Sequence, residues 1–213
     1  MPKISIISIA SQKEEFASMK NALSKQTLQD FEMIEVIGNP DAKSWNRGIK
    51  CSNGEILVFI EASAQPVNER WLEELVGGLT DEHTVVKGLE VTTSPLDPSS
   101  LAGYCQALVD QPFNESYLWS EDTELFCRLK EAGYRFVQLD CAPVIHLQKL
   151  GSKTFMRRAF RYGLYWSRLR HRYADPVELL TVSAAWKRMI GAMLNLLGMR
   201  AGAIVYRGER RTS

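Results

Sequence analysis

The sequence predicts an α/β protein: a doubly wound, mostly parallel sheet with a C-terminal basic helical extension. Three observations predict it. Short apolar runs at Ile4–Ile9, Phe31–Ile37, Ile56–Ile60 and Thr84–Val91 alternate with helix-like stretches, the order of a parallel sheet with right-handed crossovers. The Ile56–Ile60 run is apolar throughout, as a strand covered on both faces is. Charge divides the chain: residues 1–146 hold 12 Lys and Arg against 22 Asp and Glu, a net −10, whereas residues 147–213 hold 14 against 3, a net +11. The overall net charge of +1 hides this split.

Each element has its own signal. Ile4–Ile9 is β-branched, as a buried parallel strand is. Glu14 to Gln26 reads as a helix, with Phe16, Met19 and Leu23 on one face. Phe31–Ile37 is a second strand, bounded by Gly38-Asn39-Pro40, and a short helix covers Ser44 to Cys51. Asn53-Gly54 turns the chain into the Ile56–Ile60 strand. Pro66 and Asn68 open a helix whose core face is Trp71, Leu72 and Leu75, and Thr84–Val91 is a fourth strand. Residues 92–117, with Pro95, Pro98 and Pro112, read as an irregular loop region laid over the sheet. Ser120 then caps a helix from Glu121 to Ala132, stopped by Gly133. Arg135–Leu139 returns as a strand, and Val144-Ile145-His146 ends the acidic body, taken as residues 1–148. The tail is residues 149–213. In its first helix, Phe155 to Tyr173, the residues Arg157, Arg161, Arg168 and Arg172 fall within about 60° of one another at 100° per residue. Phe155, Met156, Ala159, Gly163 and Trp166 lie on the far side, with Phe160 at the flank. Asp175-Pro176-Val177-Glu178 starts a second helix that runs towards Met193.

Composition narrows the function classes. With 213 residues, 45% apolar and 24% charged, the chain suits one ordinary domain with an appendage. An acidic body does not attract nucleic acid, and the tail carries no nucleic-acid motif. A basic, aromatic tail can meet anionic lipid, an acidic partner or RNA. Cys51, Cys105, Cys127 and Cys141 form no Cys-x-x-Cys pair, and are expected as reduced thiols of a cytoplasmic protein. The N-terminus lacks the order of a signal peptide. No 18-residue run is free of charge; the nearest, Met189 to Tyr206, contains Arg200 and three glycines.

Four groups could carry chemistry. Ser120-Glu121-Asp122-Thr123-Glu124 puts acids in the first turn of a helix, where the dipole favours their charge. An ionised Asp122 there could serve as a general base towards an acceptor hydroxyl. Acids at a helix start also simply complement the dipole. Glu61-Ala62-Ser63 follows the central strand, where a carboxylate can hold Mg2+ or Mn2+ against a diphosphate, or be an ordinary loop acid. His146 closes an apolar run, as a metal ligand or as a structural histidine. Ser44-Trp45-Asn46-Arg47-Gly48-Ile49 offers Arg47 to a phosphate and Gly48 for close packing, or a plain helix start and a surface Arg.

In order and spacing these pieces resemble the family-2 glycosyltransferases, which have the Rossmann-like GT-A fold. Ile4–Ile9 resembles the family's opening strand, and Gln26-Thr27-Leu28-Gln29-Asp30-Phe31-Glu32 its lead into the second. Asn46-Arg47-Gly48-Ile49 and Asn53-Gly54-Glu55-Ile56-Leu57-Val58-Phe59-Ile60 are similar to its "Asn-x-Gly-Ile" and "Gly-Asp/Glu-x-Ile" segments. Pro66 through Trp71-Leu72, then Phe113-Asn114-Glu115, Glu121-Asp122 with Arg128-Leu129 and Gly133-Tyr134, and His146 complete the series over residues 3–148. The resemblance implies an inverting transfer of a sugar from a nucleotide-diphosphate donor to a hydroxyl, on a saccharide or lipid-linked acceptor, in glycan biosynthesis. It implies a nucleotide-binding half, 1–91, and an acceptor half, 92–148. Asp122, beside Glu121, would be the catalytic base. Ile9, Ala10, Ser11, Asn39, Asp41, Asn46, Arg47, Glu61 and Ala62 would line the donor, and Glu61, Ser63 and His146 would hold Mg2+ or Mn2+. Three departures stand out. Ser63 replaces the second aspartate of the family's metal motif, Gly38-Asn39 replaces an acidic pair, and the segment before Glu121 is short. Either Glu61 and His146 hold the metal alone, a basic side chain replaces it, or donor chemistry is impaired. The tail would dock the enzyme peripherally on the cytoplasmic membrane face, or pack on the body or on a second copy in a homo-oligomer. A fold kept for binding or scaffolding is the alternative to an enzyme.

Overall fold

The protein is described from a computed structural model, which covers residues 3–92, 104–106, 111–147 and ten positions between 157 and 173. The expected second tail helix and the Gly198–Gly202 segment lie outside the described residues, as do Phe155, Met156, Ala159, Gly163 and Trp166.

Seven strands form one sheet: β1 (Ile4–Ala10), β2 (Phe31–Ile37), β3 (Ile56–Glu61), β4 (Ala64–Pro66), β5 (Thr84–Thr92), β6 (Tyr104–Gln106) and β7 (Arg135–His146). Their spatial order is β2-β1-β3-β6-β5-β7-β4. Helices against this sheet are α1 (Phe16–Leu23), preceded by a 3-10 turn at Lys13–Glu15, α2 (Ala42–Cys51), α3 (Trp71–Gly77) and α4 (Glu121–Glu131). β1 pairs in parallel with β2 and β3, and β5 in parallel with β7. β6 runs antiparallel to both β3 and β5, and β4 antiparallel to β7. The sheet is thus mixed: two parallel groups joined by one reversed strand.

Helices cover both faces, as double winding requires. α1 contributes Phe16, Met19 and Leu23, and α3 contributes Trp71, Leu72 and Leu75, to a core shared with Ile4, Ile6, Val58, Ile60 and Val86. On the other face α2 supplies Trp45 and α4 supplies Leu125, Phe126 and Leu129, packed with Ile7, Ile9, Leu57, Phe59, Val85 and Phe113. All seven residues of β1 are buried. Gly48 lets α2 approach it: a Cβ there would sit 2.3 Å from Ile7 Cγ2. Gly133, at φ 86, ends α4 as expected.

Several boundaries differ from expectation. Asp41, not Ser44, caps α2, its side chain accepting from the Ser44 N–H at 2.9 Å. Pro66 closes the edge strand β4 rather than opening a helix, and α3 starts only at Trp71. Proline's missing N–H suits an edge. The stretch read as loop contains β6. Arg135 to His146 is one strand of 12 residues. Cys51, Cys127 and Cys141 are free thiols; burial pushes that of Cys127 up to about 11, as in an inert structural cysteine.

Candidate active site

Alternation along the strands sets what faces each side of the sheet. In β3, Leu57 and Phe59 belong to the core under α2 and α4, and Val58 and Ile60 to the opposite core. Glu61 continues the Leu57–Phe59 side. In β5, Val85 faces α2 and α4 and Val86 faces away, so Lys87 shares the face of Glu61. The start of α4, with Glu121 and Asp122, belongs to that face as well.

The entry into α4 is unusual. Ser120 adopts φ 59, ψ 29, and is the non-glycine residue with positive φ among the described residues. Its side chain makes no cap, and its Oγ is buried without a hydrogen-bond partner among the described residues. The expectation of a capping serine is corrected. A left-handed L-residue costs about 1–2 kcal/mol, and such strain collects at functional sites.

Asp122 is half-buried, and its Oδ1 accepts from the Thr123 N–H at 2.7 Å and from Thr123 Oγ1 at 3.3 Å. The dipole argument predicted a carboxylate held in its charged form. Instead burial holds Asp122 above its ordinary value, against the Thr123 bonds and the Lys87 ammonium, and the charge of Glu61 adds to the rise. Desolvation outweighs the helix dipole here because the first turn of α4 is covered. Glu121 is 9% exposed. Burial pushes its carboxyl well above the usual range, and the charges of Asp122, Glu61 and Asp41 push the same way. Burial thus raises both carboxyls of the pair. Asp122, Glu61, Asp41 and Lys87 share one electrostatic neighbourhood.

The loops after β1, β2 and β3 are tied together beside these groups. The Gly38 N–H donates to Ala10 O at 2.9 Å, and the Ala62 N–H to Ile9 O at 3.2 Å. Ile9 and Ala10 are buried; Ser11 is exposed, its hydroxyl donating to Glu15 at 2.5 Å. Asn39 is exposed and accepts the Asp41 N–H on its backbone oxygen at 2.9 Å. Arg47 is exposed and folds back to donate to Ile37 O. Asn46 is expected to line the donor. It is buried, and its amide brackets Phe113: Oδ1 accepts from Phe113 N–H at 2.8 Å, and Nδ2 donates to Phe113 O at 2.9 Å and to Glu115 at 3.0 Å. Phe113 stacks on Trp45, ring centroids 6.1 Å apart. The side chain that the motif points to is occupied in holding residues 113–115.

A divalent cation needs several oxygen ligands, carboxylates foremost. The Glu61-Ala62-Ser63 turn offers one carboxylate and one hydroxyl, and these are joined to each other, Ser63 Oγ donating to Glu61 Oε2 at 3.3 Å. The backbone of His146 lies in register with Ala64 and Thr92, and Leu147 N–H donates to Ser63 O at 2.8 Å. The turn and the end of β7 are thus neighbours, while the His146 side chain lies outside the described residues. Among the described residues no group of three or more His, Cys, Asp or Glu is arranged to hold a metal ion. Among the described residues the turn therefore offers a cation one carboxylate, fewer oxygen ligands than Mg2+ or Mn2+ takes.

Sequence reasoning missed two features. Lys87 is one; its signal is a lone cation inside an apolar strand. The other is Glu124, fully buried and clasped by Arg128 Nε and Nη2 at 3.3 Å each, by Tyr173 OH at 2.9 Å and by Asn114 Nδ2 at 3.5 Å. Tyr173 brings the tail onto α4. Its described positions from 157 to 172 are helical, and Leu169 and Tyr173 pack with Tyr117 and Cys127. Arg168 donates to Ser116 O at 2.9 Å and lies 4.5 Å from the Tyr117 ring centroid; Arg161 lies 5.4 Å from that of Trp119. Two arginines of the face expected to meet lipid therefore meet the body's own aromatics. Arg157, Phe160 and Arg172 remain exposed. Among the described residues no helix is long and apolar enough to cross a membrane.

No known protein family and no curated protein matches the chain. Solved structures do. The chain is similar to a mannosyltransferase, PcManGT from Pyrobaculum calidifontis in complex with GDP-Man and Mn2+, with TM-score 0.64 and 11% identity over 100% of this chain and 76% of that one. It is similar to TarS 1–349 of S. aureus in complex with UDP-GlcNAc, with TM-score 0.55 and 14% identity over 90% and 71%. The UDP complex of the same protein gives TM-score 0.52 and 15% identity over 90% and 70%. The chain has the mixed α/β fold of these glycosyltransferases.

Proposed function

We propose that the protein is an inverting glycosyltransferase of the family-2, GT-A kind, moving a sugar, of the hexose class, from a nucleotide-diphosphate donor to a hydroxyl acceptor. The observation that carries the reading is Asp122: a carboxylate at a helix start, half-buried, on the sheet face that also bears Glu61. A base works best with a pKa near the working pH, and burial moves Asp122 in that direction. In the reaction the acceptor oxygen attacks the anomeric carbon from the side opposite the diphosphate. Asp122 takes the hydroxyl proton, the new C–O bond forms, and the bond to the diphosphate breaks with its electron pair on the departing phosphate oxygen. The loops after Ile9 and Ile37 border the nucleotide. The fold shared with complexes of GDP-Man and UDP-GlcNAc supports a nucleotide-sugar donor.

The acceptor we propose is a saccharide, lipid-linked or membrane-proximal, met at the cytoplasmic face of a membrane with the basic tail, 150–213, lying against it. Exposed Arg157, Phe160 and Arg172 support that orientation. The test incubates the full chain with a panel of UDP- and GDP-sugars and follows the anomeric proton of the product by NMR. Transfer with inverted configuration is expected; retained configuration overturns the mechanism. Ser63 favours one alternative, a binding module that takes up the nucleotide without turnover, and donor binding with no transfer to any acceptor would establish it.

A further inference from the structure

A departing diphosphate must be met by positive charge, commonly Mg2+, Arg or Lys, and among the described residues the Glu61-Ala62-Ser63 turn offers a metal ion a single carboxylate. We propose that the Lys87 ammonium supplies this counter-charge, so that the protein binds nucleoside diphosphates and transfers sugar without a divalent ion. The proposal rests on the sugar-transfer reading above.

Geometry carries it. Phe59 of β3, residue 104 of β6 and Lys87 of β5 form one row across the sheet, Phe59 pairing with Tyr104 and Tyr104 with Lys87. Adjacent strands lie about 4.8 Å apart, so Lys87 is about 10 Å from Phe59 across the row. Glu61 is one same-face step beyond Phe59, about 7 Å further along β3. β5 runs the same way as β3, because β6 opposes both. Lys87 projects from the same face as Glu61, and its charge acts on Asp122 at the start of α4, so a side chain of this length can reach the space between them. That is where a diphosphate leaving an anomeric carbon beside Asp122 would lie.

Chemistry agrees. Lys87 is half-buried between the buried Val86 and Gly88, and an enclosed lysine calls for anionic partners. Among the described residues the carboxylates in ion pairs are held by Lys20, Arg70, His83, Arg128 and Arg135, not by Lys87. The hydrogen bond between Ser63 and Glu61 turns the metal-motif position on itself.

The experiment titrates the full chain with UDP, GDP, UMP and GMP by calorimetry, in EDTA and in Mn2+, for wild type and for Lys87→Met, Lys87→Gln and Lys87→Arg variants whose melting is unchanged. Diphosphates are expected to bind in EDTA. Lys87→Met and Lys87→Gln should weaken them roughly ten- to hundredfold, as loss of a charge-assisted bond does, with monophosphates little affected and Lys87→Arg recovering most of the loss. Loss of diphosphate binding in EDTA, restored by Mn2+ equally in wild type and Lys87→Met, overturns the proposal and leaves sugar transfer standing. Metal-free, Lys87-dependent binding without transfer upholds the counter-charge role of Lys87 and removes both metal-free transfer and the transferase reading. Binding of no nucleotide under any condition overturns both. The wild-type comparison of EDTA with Mn2+ decides the metal question even if every neutral variant unfolds.

Discussion

Asn46→Ala separates a structural amide from a donor-binding one. The side chain is 6% exposed. Its loss strips partners from the Phe113 N–H and C=O, bonded now at 2.8 and 2.9 Å, and one from Glu115. Water cannot simply replace it, because Phe113 is 2% exposed and lies against Trp45 and Phe59, with ring centroids 6.1 and 5.6 Å away. Each buried backbone group left without a partner costs about 1–3 kcal/mol. Allowing for partial relaxation, the pair amounts to about 3 kcal/mol, and at about 2–4 °C per kcal/mol for a chain of this size the melting point falls by about 6–12 °C. Asn46→Asp keeps the acceptor for Phe113 N–H but sets a buried carboxylate against Phe113 O and the Glu115 carboxylate, so its fall is at least as large. Circular-dichroism melts are paired with nucleotide titration at a temperature where all variants are folded. Asn46→Ala melting with wild type while losing nucleotide affinity would refute the reasoning and return Asn46 to the donor site.

Tyr173→Phe removes the hydroxyl that donates to buried Glu124 and keeps the ring. A loss of about 1–3 kcal/mol is expected in urea unfolding, with faster hydrogen exchange at the described helical positions between 157 and 172; unchanged exchange would contradict the role of Tyr173 as the tail's tie to α4. Glu121 is raised in the folded state, so the folded protein binds more protons than the unfolded one above the ordinary glutamate range. Stability should then fall as pH rises from that range through the folded value. Glu121→Gln should flatten this decline and melt higher than wild type at pH 8; a lower melting point there would contradict burial of the protonated form.

How much of this could be read from residues alone differs by element. The Ile4–Ile9 and Ile56–Ile60 runs located the two central parallel strands, and Gly133 the end of α4, because burial on both faces and a left-handed stop leave composition signals. Strand direction leaves none: nothing in residues 104–106 marks a three-residue strand running against its neighbours. Glu121 and Asp122 were recognisable as a pair, but their protonation follows from how deeply α4 is covered, which the dipole argument ignores. Asn46 was singled out for the right motif and a different duty, since its partner Phe113 is 67 residues away. Lys87 escaped notice because one cation in an apolar run gains meaning only when alternation puts it on the face of Glu61.

The central claim is that Asp122 removes the acceptor proton. Its direct measurement is single-turnover sugar transfer by Asp122→Asn, with donor affinity and melting point recorded on the same sample. The account predicts a rate lowered by roughly 10²–10⁴ with donor still bound and the fold intact. Transfer at the wild-type rate by that variant would contradict it.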